Sequence, residues 1–498
     1  MIGAAPRADD AATRATVSLS LVSHTNAGKT TLARTLVGRD IGEVRDAPHV
    51  TKEASAHPLF ATDDGDSLVL WDTPGFGDSA RLARRLAQQG NPIGWFLSQV
   101  WDRYRDRAFW HSQQAVRNLR ERADVVLYLV NASEAPADAG WLAPEMDVLA
   151  WIAKPVVVLL NQTGPPRPPA EEADDLDRWR AALERRPMVR DVLSLDAFAR
   201  CWVQELVLAR TLRPCVPEHK RAAFDRLARA WRERRIDTFE KAIEALAAPI
   251  ARAAVDAEPV AESRMRGALR DLGRAIGVAP GADDPRATAS GALRVRLETD
   301  LAAAADRVIA IHGLEGRARE VLSERLAGAT TTIAPVSEGR AALVGGAVSG
   351  AVTGLAADLA AGGLTFGAGL VTGALLGALG GAGLARGVNL ARGRDGAFIR
   401  WDARFLDGLC AAALLRYLAV AHFGRGRGDW AESESPAFWR ERVEAAVTGR
   451  ADALAALWGD RDARGDETAT AAALREVLSG ATIELLDTLY PGALDEPR

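Results

Sequence analysis

Five apolar runs recur along the N-terminal part of the chain: Val17–Val22, Ser67–Trp71, Asp124–Val130, Pro155–Leu160 and Val189–Leu195. Several are near-continuous Val/Leu runs rather than alternating ones, the pattern of strands covered on both faces of a parallel sheet. Helical stretches separate them, beginning with Lys29–Val37. This alternation predicts a doubly wound α/β domain over 12–210, after a mobile arm at 1–11. Two insertions interrupt it. Residues 76–122 carry Trp95, Phe96, Trp101, Tyr104, Phe109 and Trp110 among many arginines, and read as an amphipathic helical insertion whose aromatics pack on the domain. Residues 164–175 form a proline-rich and then acidic loop leading into a helix.

The pattern changes beyond 210. Residues 211–340 are rich in Ala, Arg, Glu and Leu with helical periodicity and almost no strand signal, which predicts a helical domain. Residues 341–385 hold a single charged residue, Asp358, and more than half of them are Gly or Ala. Glycines four apart, as in Gly346–Gly350–Gly354 and Gly369–Gly373–Gly377–Gly381, would line one helix face and let two helices approach closely. The segment predicts a Gly/Ala-rich apolar helical hairpin bending at Asp358. It either associates with a membrane or packs as a soluble zipper. Residues 386–498 read as a further helical region.

Composition narrows the class without naming it. The 498 residues are 48% hydrophobic and 26% charged with a net charge of -4, which fits a folded chain and gives no reason to expect a nucleic-acid partner. Three cysteines, with no CxxC pair, argue against a disulfide framework or zinc site. The start of the chain lacks an apolar leader, so a cytoplasmic location is expected, with association at the inner face of the cell membrane if 341–385 meets lipid.

The chemistry concentrates in SLSLVSHTNAGKTTLARTL, residues 18–36, where a strand ends, a tight loop follows and a helix begins at Lys29. Ser23-His24-Thr25-Asn26-Ala27-Gly28-Lys29-Thr30 matches the phosphate-loop pattern G-x-x-x-x-G-K-[ST], with Ser in the first glycine position. Gly28 lets the backbone approach a phosphate, and the loop and helix N–H groups of His24 to Thr31 cradle it. Lys29 adds charge at the β and γ oxygens, and the Thr30 hydroxyl is placed to ligate Mg²⁺. SLVLWDTPGFGD, 67–78, supplies a second motif. Asp72 at a strand tip is where such a protein needs a carboxylate partner for Mg²⁺, and Gly75 can offer its N–H to the γ-phosphate.

SHTNAGKTTL followed by DTPGFGD resembles the GTPase domains of the Era/TrmE type, within the translation-factor-related class of P-loop GTPases. The second half is similar to a helical domain of unknown function in poorly characterised bacterial proteins. The resemblance implies a doubly wound P-loop GTPase domain that binds GTP with Mg²⁺. It assigns Lys29, Thr51 and Gly75 to catalysis, and Thr30, Thr51 and Asp72 to the metal. Thr51, in Asp46-Ala47-Pro48-His49-Val50-Thr51-Lys52, stands at the switch threonine. Asn26 takes the position that holds K⁺ in similar GTPases. Phe76 stands where many have a water-positioning Gln, which predicts slow hydrolysis stimulated by K⁺, by a homodimer across the nucleotide or by a partner. The base-reading motif departs from the family: Asn161-Gln162-Thr163-Gly164 keeps Asn161, retains length at Gln162 and has Gly164 where the guanine-binding carboxylate would be. Asp196 is a candidate substitute. The leading expectation is a GTP-hydrolysing switch coupled to a membrane-associated helical domain. The alternatives are a nucleotide-binding scaffold with negligible turnover and a P-loop ATPase.

Overall fold

The computed structural model describes residues 14–24, 27–38, 55–87, 107–164, 166–260, 285–314, 388–393, 396–423, 436–459 and 466–495. It divides into two compact units: residues 1–236 with 422–427 and 490–498, and residues 237–421 with 428–489. The apolar segment 341–385, the arm 1–11 and the aromatic stretch holding Trp95, Phe96, Trp101 and Tyr104 lie outside the described residues.

In the first unit a six-stranded sheet runs β2-β3-β1-β4-β5-β6. Its strands are β1 (Thr16–Ser23), β2 (Ser55–Ala61), β3 (Ser67–Asp72), β4 (Val125–Asn131), β5 (Val156–Asn161) and β6 (Val189–Ser194). All pairings are parallel except β2 with β3. The five expected apolar runs are therefore strands. β2 was not expected: SAHPLFA carries a proline and no clean alternation, tolerable because it pairs only with β3 at the sheet edge.

Side-chain alternation explains the continuous apolar runs. Val125, Leu127 and Leu129 of β4 join Leu19, Leu21 and Leu32 in one core, while Val126, Tyr128 and Val130 join Val22, Met146 and Leu149 in another. Both faces of the central strands are thus covered by helices. These are α1 (Lys29–Val37), α2 (Ser79–Ala87), α3 (Arg107–Arg122), α4 (Leu142–Ile152), α5 (Pro169–Leu183), α6 (Trp202–Leu212) and the start of α7 (Glu218–Val255). Helix α1 stops at Gly38, whose φ of 73° lets its N–H cap the Arg34 carbonyl at 2.9 Å. In the described part of the 76–122 insertion, Phe109 is buried and the Arg81 guanidinium lies 4.0 Å from its ring centroid.

The chain crosses from one side of β1 to the other between β3 and β4, so the carboxyl ends of β1 and β4 flank a topological switch point, where α/β sheets bind ligands. The start of β1 is anchored by Asp66, a buried carboxylate that accepts the Ala15 N–H (3.0 Å) and Arg226 Nε (2.7 Å). The Arg226 hydrogen bond holds the Asp66 carboxyl below its usual range. A carboxyl depressed on folding stabilises above its unfolded pKa and loses that contribution as pH falls through the folded one. Asp66→Asn should therefore be less stable than the parent at neutral pH. Their melting temperatures should converge below the ordinary carboxylate value of 3.8.

The second unit is mostly helical, with α8 (Pro285–Ile311), α9 (Ala403–Ala421), α10 (Ala437–Thr448), α11 (Ala451–Gly459) and α12 (Glu467–Leu489) besides the end of α7. It also holds an antiparallel sheet, β7 (Ala257–Pro259), β9 (Gly396–Trp401) and β8 (Val388–Gly393), in the order β7-β9-β8. The mostly helical character expected of the C-terminal region holds, and this small sheet is an addition to it. The three residues of β7 are too few for a period to show, and Arg400 interrupts the apolar pattern of β9. Arg296 fixes β7 by donating to Asp256 (2.9 Å), with Glu258 at 2.8 Å.

Candidate functional site

The loop joining β1 to α1 lies at this switch point. Ser23, in the position the motif gives to glycine, is the last residue of β1 and is not among the residues with positive φ. Its backbone is ordinary strand, so a Cβ causes no strain, and its hydroxyl donates to the His24 carbonyl at 2.6 Å. Gly28 does need to be glycine: its φ is 85°, and a Cβ there would lie 2.6 Å from Asn161 Nδ2. Its carbonyl accepts the Leu32 N–H at 2.9 Å, opening helix α1. Thr25 and Asn26 lie outside the described residues, as does Thr51.

Lys29, Thr30, Asp72 and Gly75 are brought together. The Thr30 hydroxyl donates to Asp72 Oδ2 at 2.9 Å, joining the two expected metal ligands across the sheet. Lys29 is partly buried. Burial pushes its pKa below the ordinary lysine value, while the charges of Asp72 and Glu145 pull it back up. A Cβ on Gly75 would lie 2.9 Å from the Ser23 carbonyl oxygen and 4.0 Å from Lys29 Nζ, so this glycine passes close against the loop. Thr31 is buried in the first turn of α1. Phe76 is fully buried in the core with Val22 and Leu82, turned to packing rather than to water.

At the end of β5, Asn161 is completely buried and bonded at both ends of its amide. Its Nδ2 donates to the Ala27 carbonyl (2.8 Å), and its Oδ1 accepts the Ala197 N–H (2.8 Å). It thereby staples the phosphate loop to the loop after β6. Gln162 and Gly164 follow with φ of 59° and 83°. The Asp196 carboxylate braces this turn: Oδ2 accepts the N–H (2.6 Å) and hydroxyl (2.9 Å) of Thr163, and Oδ1 accepts the Phe198 N–H (2.7 Å). A carboxylate offers about four acceptor positions, so one remains beyond these three.

The sequence reading missed a cluster behind the loop. His24 Nδ1 lies 2.6 Å from Glu145 Oε1, and the Tyr128 hydroxyl donates to Glu145 Oε2 at 2.5 Å. The imidazole stacks on Trp141, with ring centroids 4.7 Å apart and planes 8° off parallel. Burial and the neighbouring Glu145 hold the Tyr128 phenol well above its usual pKa, so it remains a donor. One signal was available. Leu142, Glu145, Met146 and Leu149 form the buried stripe of α4, and an acidic residue in such a stripe needs a partner.

Residues 18–162 match the family described as 50S ribosome-binding GTPase, and residues 323–479 match a domain of unknown function, DUF3482. No curated protein matches the chain. Among solved structures, Era of Aquifex aeolicus bound to GDP and AlF4- is 20% identical, with a TM-score of 0.30, covering 41% of this chain and 57% of that one. Era in complex with MgGDPNP and a segment of 16S ribosomal RNA is 19% identical, with a TM-score of 0.30, covering 41% and 58%. The chain thus spans less than two thirds of the length of these structures. The motif, the sheet around it and the family match agree: the first unit is a P-loop GTPase domain, and the chain joins it to a C-terminal domain of unknown function.

Proposed function

We propose that this chain binds GTP with Mg²⁺ and hydrolyses it slowly as a switch whose output passes to the C-terminal region. The observation carrying this reading is the convergence of Lys29, the Thr30–Asp72 pair and Gly75 on one end of the sheet. A hydroxyl and a carboxylate within hydrogen-bond reach are the oxygen donors Mg²⁺ takes, so Thr30 and Asp72 would hold the ion. When bound, it would neutralise charge on the β and γ oxygens. Lys29 would add its charge at the same oxygens, and the Gly75 N–H would report the γ-phosphate to α2. Thr51 and Gly75 are the proposed switch contacts. Asn26 is the proposed K⁺ ligand, supplying charge that the apolar Phe76 cannot.

Asp72→Asn keeps an acceptor for Thr30 while removing the charge. Its GTP affinity in Mg²⁺ should fall by about 10–100-fold and approach the value in EDTA. Titration of a fluorescent GTP analogue under both conditions measures this, and an unchanged Mg²⁺ requirement would count against the site. Competition by ATP decides base preference. Asn161 and Gln162 remain as base contacts, and the free acceptor position of Asp196 is the candidate for reading guanine. If turnover is negligible in K⁺ and Na⁺ alike, the scaffold reading takes over.

The apolar segment 341–385 supports a membrane-associated output, because glycines four apart make a poor helix in water and a close-packing one in lipid. No helix among the described residues is long and apolar enough to cross a membrane. Liposome flotation with and without 341–385 separates lipid binding from a soluble zipper.

A further inference from the structure

Glu145 is an ionisable residue with none of its surface exposed, placed in an apolar helical stripe where a leucine would pack as well. Burying a carboxylate is unfavourable unless both oxygens are satisfied. Here one oxygen takes the Tyr128 hydroxyl from β4, and the other takes the imidazole of His24, the residue that follows β1 into the phosphate loop. A carboxylate accepts, which places a proton on His24 Nδ1. Trp141 closes one face of the ring, and its indole N–H is shared by the two carboxylate oxygens of Glu134, both at 3.3 Å. His24 keeps 30% of its side chain exposed, so burial alone does not hold it in place; the carboxylate and the stacking do. Helix α4 packs by Met146 and Leu149 in the same core as Phe76 and Leu82, which follow Gly75.

From this we infer that Glu145 is a positioning residue of the nucleotide site: acting through His24, and backed by Tyr128 and Trp141, it holds the entry of the phosphate loop in the geometry that receives the phosphates. The inference rests on the reading of that loop as a triphosphate site. It adds a connection from helix α4 to the loop that neither nucleotide motif contains. A hydrogen-bonded network fixes one orientation of the imidazole and of the main chain that carries it, which packing alone would not.

The test uses the full chain, a fluorescent GTP analogue and Mg²⁺. His24→Ala and Glu145→Ala should each weaken binding by about tenfold, and the double variant should be no worse than Glu145→Ala alone, since both remove the His24–Glu145 interaction. Glu145→Gln keeps an acceptor for Nδ1–H and should recover most of the affinity. The ¹⁵N resonances of the His24 ring should show the Nδ1 hydrogen bond in the parent and in Glu145→Gln, but not in Glu145→Ala. Should Glu145→Ala fail to fold, Tyr128→Phe removes one of the two donors with the ring in place, and weaker binding is again expected. Affinity within about twofold of the parent in His24→Ala, or additive losses in the double variant, would overturn the inference. If the parent binds no GTP and Lys29→Ala changes nothing, the nucleotide reading falls and this inference with it. A parent that binds and depends on Lys29, but not on His24, removes this inference alone.

Discussion

Lys29→Ala is expected to lose GTP binding by about 100-fold or more, because charge-assisted hydrogen bonds contribute about 1.5–3 kcal/mol each and, on the proposed reading, this ammonium makes two. The surroundings enlarge the effect. Asp72 and Glu145 both act on the Lys29 ammonium. Without the cation, the Asp72 carboxylate beside the loop would be left less compensated as the phosphates arrive, in a medium that screens charge less than water does. Lys29→Arg should not rescue, since a planar fork differs in shape and reach from a compact ammonium. Titration of the same GTP analogue in Mg²⁺ measures the loss, and circular dichroism checks the fold. Affinity within about threefold of the parent, a difference of well under 1 kcal/mol, would mean the loop does not hold a phosphate.

Gly28→Ala should be nearly as damaging, for a reason that combines dihedral and contact. A side chain at φ 85° carries a cost of about 1–2 kcal/mol. The added Cβ would also sit 2.6 Å from Asn161 Nδ2, forcing aside an amide that bonds Ala27 and Ala197 from a fully buried position. Each buried polar group left without its partner costs about 1–3 kcal/mol. A stability loss of about 2–5 kcal/mol and a misplaced Lys29 follow, read as a lower melting temperature together with loss of GTP binding. Gly164→Ala is the internal control. Its φ is 83°, but among the described residues other than its chain neighbours nothing lies within 4 Å of the added carbon, so only the dihedral cost should appear. Equal effects at the two glycines would show that the approach of Asn161 to the loop is unimportant.

The expected Thr30–Asp72 pairing was legible because each residue sits in its own short motif at the end of an apolar run, and parallel neighbours bring such ends together. Ser23 departs from the motif at its first glycine position, where a Cβ would matter if the turn began there. The turn does not begin there, since the strand continues through that residue. Gly164, read only as a missing carboxylate, also proves to be a left-handed turn position braced by Asp196.

By itself the sequence determined the elements whose signal is local: the five apolar strands, the glycine, lysine and threonine of the loop, and the carboxylate at the tip of β3. Neighbouring residues report on one another through backbone preference and side-chain period, so a short window suffices for these. Only the tertiary structure decided that Glu145 meets His24 across 121 positions and that Asn161 meets Ala27 across 134. Such meetings depend on strand order and on which face a helix buries, and neither leaves a mark within a single window. Strands β2 and β7 to β9 belong to the same class, since they form by pairing with partners and not by a pattern of their own.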